Sequence, residues 1–224
     1  MTTLEDLATR VRSLAAGGRR AILGVTGSPG AGKTTFAKHL VRLLQQTSPA
    51  PGQPERWAVH VPMDGYHLAD VELDRLGRRA RKGAPDTFDA AGYAALLRRV
   101  RDDHDDVIYA PAFERDIEQP IAGSIPIPRS ARLIVSEGNY LLFDQPEWKQ
   151  VRLQFDEVWF CELDADERVR RLVARHERFG KNHDAAVAWV MGTDQRNADL
   201  IDQTRRHADL IVPASLIRPL ADLE

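Results

Sequence analysis

The segment Gly27-Ser28-Pro29-Gly30-Ala31-Gly32-Lys33-Thr34 has the spacing G-x-x-x-x-G-K-[ST]. Glycines at these places let the backbone wrap an anion, so that successive N–H groups and a helix amino terminus point at a phosphate. In that arrangement Lys33 bridges the β- and γ-phosphates and the Thr34 hydroxyl ligates Mg²⁺, with Thr35 next in the phosphate-side run. Two acids can complete the chemistry. Asp64 follows the apolar run 57–61 and precedes Gly65-Tyr66-His67, whereas Glu137 follows the apolar run 133–135. A carboxylate at Glu137 can hold Mg²⁺ through water. One at Asp64 can accept the proton of an attacking hydroxyl, which is the one base phosphoryl transfer needs besides positioning and charge neutralisation. Thr34, Glu137 and Asp64 are thus the expected metal side of the site.

Those groups must be held by a sheet. The apolar run 21–26 before the glycine loop and the helical spacing of Phe36, Leu40, Leu43 and Leu44 after it predict strand, loop, helix, the context the motif requires. Main strands are also expected at 57–61, 133–136, 158–161 and 209–213, a short strand at 107–111, and an edge strand or hairpin at 121–128. Helices are expected at 89–101, at 164–179 behind the capping pair Asp164 and Glu167, and at 184–205. Leu4, Leu7, Val11, Leu14 and Ala15 predict an amphipathic helix that packs on the main fold until Gly17-Gly18 interrupts it. Residues 47–55 read as a turn-rich connector and 75–83 as a charged loop. Strands alternating with helices predict an α/β fold of three layers: a five-stranded parallel core sheet, helices on both faces, and ligands outside the strand carboxyl ends.

With 224 residues, 43% hydrophobic and 29% charged, the chain suits one globular domain, residues 1–18 forming an appended helix. Lys+Arg number 31 against 33 Asp+Glu, so the chain lacks the basic excess of a nucleic-acid binder. No apolar run is long enough to span a bilayer and no leader pattern opens the chain, so no membrane partner is expected. A single cysteine, Cys161, makes no intrachain disulfide and reads as core; together these features fit a cytoplasmic protein. The acids Asp102, Asp103, Asp105 and Asp106 around His104 read as a solvated turn.

The glycine loop together with Met63-Asp64-Gly65-Tyr66-His67, Gly83-Ala84-Pro85-Asp86-Thr87-Phe88-Asp89, Tyr109-Ala110-Pro111-Ala112-Phe113-Glu114-Arg115 and Val135-Ser136-Glu137-Gly138-Asn139-Tyr140 resembles the P-loop kinases that include uridine kinase, phosphoribulokinase and bacterial pantothenate kinase. The resemblance covers about residues 22–212 and is strongest to bacterial nucleoside/nucleotide-kinase-like proteins, some labelled fructose-transport kinases. It implies a P-loop NTPase fold, ATP and Mg²⁺ as cofactors, Asp64 as catalytic base, Glu137 as the magnesium-side acid and Arg115 as a substrate or phosphate contact. From the same segments it implies Tyr66, His67, Phe113, Asn139 and Tyr140 as further substrate contacts.

Arg168, Arg171, Arg175 and Arg178 are spaced to share one helix face. The resemblance makes this helix, with Phe179-Gly180-Lys181, a lid over about residues 164–183. Its basic groups, Arg171 and Arg175 first, would neutralise the transferring phosphoryl group. The chain departs from uridine kinases, which carry an acidic residue where Gly83-Ala84-Pro85 stands, and from pantothenate kinase, which has a histidine where Arg115 stands; an arginine there favours a more anionic substrate. The expected function is an ATP:Mg²⁺-dependent transfer of the γ-phosphate to an alcohol hydroxyl of a small metabolite: a nucleoside, a sugar or a pantothenate-like molecule. A nucleoside monophosphate kinase, with 75–82 receiving a phosphorylated acceptor, stays open, as does a nucleotide-dependent regulatory ATPase without an acceptor. The Asn-Lys-x-Asp guanine motif of a regulatory GTPase does not occur. Dimers are common among similar proteins, and a homodimer is compatible with the sequence.

Overall fold

Short runs rich in Val, Ile, Leu and aromatic residues form seven strands among the described residues: β1 Ala21–Thr26, β2 Ala58–Pro62, β3 Val107–Glu114, β4 Gln119–Pro128, β5 Leu133–Glu137, β6 Glu157–Cys161 and β7 Leu210–Val212. The computed structural model describes residues 2–16, 18–46 and 57–221; Gly17 and the connector expected at 47–55 lie outside them. Five strands make one parallel sheet in the order β2-β5-β1-β6-β7. Burial of β1 and β5 along their whole length is what a central strand covered on both faces requires. Register sets the site: Val25 pairs with Glu137, and Glu137 with Pro62, so β1, β5 and β2 end level with one another.

Helices α1 Leu4–Ala15, α2 Lys33–Gln46, α3 Asp70–Arg75, α4 Ala90–Asp102, α5 Pro146–Arg152, α6 Ala165–Arg178, α7 His183–Trp189, α8 Gln195–Asp202 and α9 Ala214–Ala221 complete the described fold. α1 starts at a capping box, in which the Asp6 N–H donates to Thr3 Oγ1 at 3.1 Å and the Thr3 N–H to Asp6 Oδ2 at 2.8 Å. One face of the sheet carries a core built from α1, α2 and α9, with Phe36, Leu40, Trp57, Trp159 and Ile217. The other carries α4, α5 and the β3–β4 ribbon, with Tyr93, Leu97, Ile127, Tyr140 and Trp148. Among the described residues no helix is long and apolar enough to cross a membrane.

At the amino ends of the strands, buried charges are consumed by the protein itself. Arg20, almost fully buried, donates to the carbonyls of Ala131 (2.7 Å), Val100 (3.0 Å) and Pro128 (3.1 Å) and lies 2.9 Å from Asp103. Asp156, just before β6, accepts from the Ile22 N–H at 2.8 Å, from Arg19 at 2.7 Å and from Arg101 at 3.2 Å. Asp209, just before β7, accepts from the Val158 N–H at 2.7 Å and from Arg152 at 3.0 Å.

Several expectations need correction. The strands expected at 107–111 and 121–128 are longer and pair antiparallel with each other outside the main sheet, with a register shift between Ala110 and Ala112 where Pro111 donates no hydrogen bond. The helix expected over 184–205 is α7 and α8 joined by a π-helical stretch, Val190–Asp194. The charged loop at 75–83 takes in the end of α3 and a 3₁₀ turn, Arg79–Arg81. α5 and α9, of seven and eight residues, are too short for periodicity to announce. The acidic turn after α4 is largely paired, Asp103 with Arg20 and Arg132, and Asp105 with Arg99.

Candidate active site

The loop that leaves β1 turns sharply and opens α2 at Lys33. Gly30 has φ +81°, and a Cβ there would lie 2.7 Å from Leu172 Cγ and 3.0 Å from the Arg168 carbonyl, so α6 packs against the loop backbone in a way only glycine permits. Side chains pin the loop from the far side. Ser28 Oγ donates to Asp202 Oδ1 at 2.5 Å, and Arg168 donates to the Pro29 carbonyl at 3.4 Å and to Gln195 Oε1 at 2.5 Å. Lys33 Nζ donates to the Ser28 carbonyl at 3.1 Å. Burial pushes the Lys33 ammonium below its ordinary value, while Glu137, Cys161 and Asp64 pull it back.

Thr34 Oγ1 donates to Glu137 Oε1 at 3.0 Å, and His60 Nε2 lies 3.7 Å from the same oxygen. Burial alone would raise the Glu137 carboxyl; His60, Lys33 and Thr34 outweigh it and hold it below the usual value, so it stays an anion. A hydroxyl and an ionised carboxylate side by side are hard oxygen donors, and with water and phosphate oxygens they suit Mg²⁺, which takes few protein ligands. Among the described residues no three His, Cys, Asp or Glu side chains form a metal cluster.

Asp64 stands on a 3₁₀ turn, Met63–Tyr66, that follows β2 directly. Its neighbour Gly65 touches the ribbon so closely that a Cβ would lie 2.4 Å from the Pro111 carbonyl. The Asp64 carbonyl accepts from the His67 backbone N–H at 3.1 Å and lies 2.8 Å from His67 Nδ1. A carbonyl only accepts, so Nδ1 carries the proton and Nε2 is left with a lone pair. The ring lies between Phe88 and Phe113, with centroids at 4.0 and 4.7 Å. Burial pushes the imidazole below its ordinary value against the pull of Asp64, which keeps it neutral. Arg115 donates to Asp64 Oδ2 at 3.4 Å.

These groups line one cleft of about 350 Å³: Pro29, Gly30, Lys33, Thr34, Asp64, His67, Phe113, Arg115, Glu137, Asn139 and Arg175 all face it. Other expected site residues are elsewhere. Gly27, Ser28, Ala31, Gly32 and Thr35 form the loop and the first turn of α2 behind the lining. Tyr66 packs on Tyr93 at 5.0 Å. Tyr140 is buried among Phe88, Phe143 and Trp148, and its hydroxyl donates to the Gly83 carbonyl at 2.5 Å, so it supports the cleft wall from behind. The arginine stripe of α6 divides: Arg168 holds the loop, Arg175 faces the cleft, Arg178 is exposed, and Arg171 is bonded to Glu167 at 2.5 Å outside the lining. Phe179 and Lys181 do line the cleft.

Sequence reasoning missed several lining or supporting groups, among them Glu118, Trp189, Asp202 and the four that follow. His60 is the one polar residue inside an apolar strand, a signal that could have flagged it. His176 and Asp194, 2.9 Å apart, come from different helical segments, and Asn197 reaches the Gly83 carbonyl at 3.3 Å; their spacing carries no local signal.

No family model matches the chain. It is 36% identical to a solved structure from Silicibacter sp. TM1040 described as a "putative fructose transport system kinase", with TM-score 0.84 over 95% of this chain and 100% of that one. It is 33% identical to the ATP-dependent kinase-like protein notR' of Aspergillus versicolor over 68% of this chain and 94% of that protein. It is 32% identical to the uncharacterized protein YggC of Escherichia coli K12, over 87% of this chain and 78% of that protein.

Proposed function

The chain belongs to the P-loop kinase family, and from that premise we propose that it transfers the γ-phosphoryl group of ATP to an alcohol hydroxyl of a small metabolite. The observation that carries this reading is Asp64, which stands two residues past Pro62, the end of β2 and the partner of Glu137, and faces the same cleft as Lys33 and Thr34. Lys33 and the loop N–H groups bind the nucleotide phosphates. Thr34 and Glu137 would hold Mg²⁺, which supplies charge neutralisation at those phosphates. Asp64 takes the proton of the acceptor hydroxyl as its oxygen bonds to the γ-phosphorus. The bond from that phosphorus to the bridging oxygen breaks, and the electron pair leaves on ADP. Arg175 supports the charge that builds on the transferring group. His67, neutral with a free Nε2 lone pair, accepts from a donor on the acceptor molecule and orients it.

The test is ADP release from the purified protein with Mg²⁺-ATP, challenged in parallel with nucleosides, nucleoside monophosphates, pantothenate and simple sugars. Strong stimulation by one acceptor class is expected. Slow hydrolysis that no acceptor changes would favour a nucleotide-dependent regulatory ATPase.

A further inference from the structure

Most cations at the cleft already have a protein partner. Arg79 pairs with Asp70 at 2.8 Å, Lys82 with Asp70 at 2.7 Å, and the Lys181 ammonium lies 5.0 Å over the Trp189 ring. Arg115 and Arg175 differ. Among the described residues Arg115 reaches only Asp64, at a long 3.4 Å, with 40% of its side chain open to solvent. Among the described residues no hydrogen bond or ion pair holds the Arg175 guanidinium. Arg175 is an exposed residue that lines the cleft. There desolvation first and repulsion from Arg115 second push its guanidinium below the ordinary value, against the pull of Asp194, Asp64 and Glu118. Arg175 also repels Lys33, and all three cations line the one cleft.

Two like charges that line one cleft are stable together when an anion sits between them. The nucleotide phosphates already have the loop N–H groups, Lys33 and the amino end of α2. Arg115 arrives from the other wall, on the turn after β3, beside the base. Its anion therefore belongs to the second substrate. We propose that the acceptor alcohol carries a phosphate monoester of its own, bound by Arg115 together with Arg175; this rests on the phosphotransferase reading above. A phosphate offers several oxygens in the geometry that guanidinium forks match. Its arrival also draws Arg115 off Asp64 Oδ2, which frees that oxygen for the hydroxyl proton.

The first arm of the test compares matched pairs, ribose with ribose 5-phosphate and uridine with UMP, in the ADP-release assay, with products identified by ³¹P NMR. A phosphorylated member should be the better acceptor and yield a second monoester. Preference for the unphosphorylated members, or a diphosphate product, would overturn the proposal. The second arm needs no turnover: inorganic phosphate is titrated calorimetrically into protein saturated with Mg²⁺ and a non-hydrolysable ATP analogue. Arg115→Gln should weaken phosphate binding by about 10- to 100-fold and Arg115→Lys should recover part of it. Equal binding by wild type and Arg115→Gln, or none by either, would overturn the anion site. Arg115-dependent phosphate binding without acceptor-stimulated ADP release in any pair would count against the phosphotransferase reading and leave the anion site standing.

Discussion

The two ends of the sheet handle buried charge in opposite ways. At the amino ends, Arg20 spends its donors on three carbonyls and an aspartate, and Asp156 and Asp209 each take a backbone N–H of the adjacent strand besides their arginines. At the carboxyl ends, Lys33 folds back on its own loop, Arg115 makes one long contact and Arg175 makes none among the described residues. Net stabilisation from a buried ion pair requires good geometry and satisfied hydrogen bonds; the amino end supplies them apart from the buried Nε of Arg101, whereas the carboxyl end leaves Arg115 and Arg175 largely without partners among the described residues. Charge left unsatisfied at one end is charge available to a ligand. The fold is closed at one end of its strands and reactive at the other.

Four changes would break or sharpen this contrast. Asp64→Asn acts only at the reactive end: kcat should fall about 10²- to 10⁴-fold with ATP affinity nearly intact, as read by steady-state kinetics and nucleotide titration. An Asp64→Asn enzyme with wild-type kcat would remove the base from the mechanism. Arg20→Met acts only at the closed end: it takes the guanidinium away from the Ala131, Val100 and Pro128 carbonyls and leaves Asp103 with Arg132 alone, so urea unfolding should show a loss of about 3–5 kcal/mol, with ATP affinity of the folded fraction unchanged.

Asp156 gives the contrast a pH signature. Burial works to raise its carboxyl, but the Ile22 N–H, Arg101 and Arg19 outweigh it and hold it below the usual range. A carboxyl depressed by folding contributes stability that is whole above its unfolded value of about 3.9 and is lost as the pH falls through the folded value. Asp156→Asn should therefore lower the unfolding midpoint near neutrality and flatten its decline in acid. An acid limb identical to wild type would mean that the charge of Asp156 plays no part. Smallest is Tyr140→Phe, which removes one donor from the Gly83 carbonyl while Asn197 remains; a loss of about 0.5–1.5 kcal/mol in thermal or urea unfolding is expected, with little change in kcat.

How much of this the sequence disclosed follows the same division. The phosphate loop is eight contiguous residues, and Asp64 and Glu137 each end an apolar run, so the reactive end was legible locally. What could not be read was that β1, β5 and β2 end level, because register depends on pairing between distant strands. Arg20 reads as a surface charge ahead of a strand, and nothing nearby reveals acceptors 80, 108 and 111 residues away. The spacing on α6 placed four arginines on one face but not their partners: Glu167 holds Arg171, and Pro29 and Gln195 hold Arg168. Tyr66 and Tyr140 stand in motif segments that line the site only in part, with their rings turned to the core.

The π-helical stretch Val190–Asp194 has a consequence of its own. Before it, α7 packs against α6; after it, α8 meets the phosphate loop through Ser28 and Asp202 and the Gly83 carbonyl through Asn197. A residue more or less in a helix turns everything downstream by about 100°. The wide turn thus works as a phase shifter between two helical faces with different clients. Deleting Gly192 to restore an unbroken α-helix would leave the two halves out of step, so that only one of them could keep its contacts: α6 would still pack directly on the loop at Gly30, but either α7 would leave α6 or α8 would lose its hold on Ser28 and the Gly83 carbonyl.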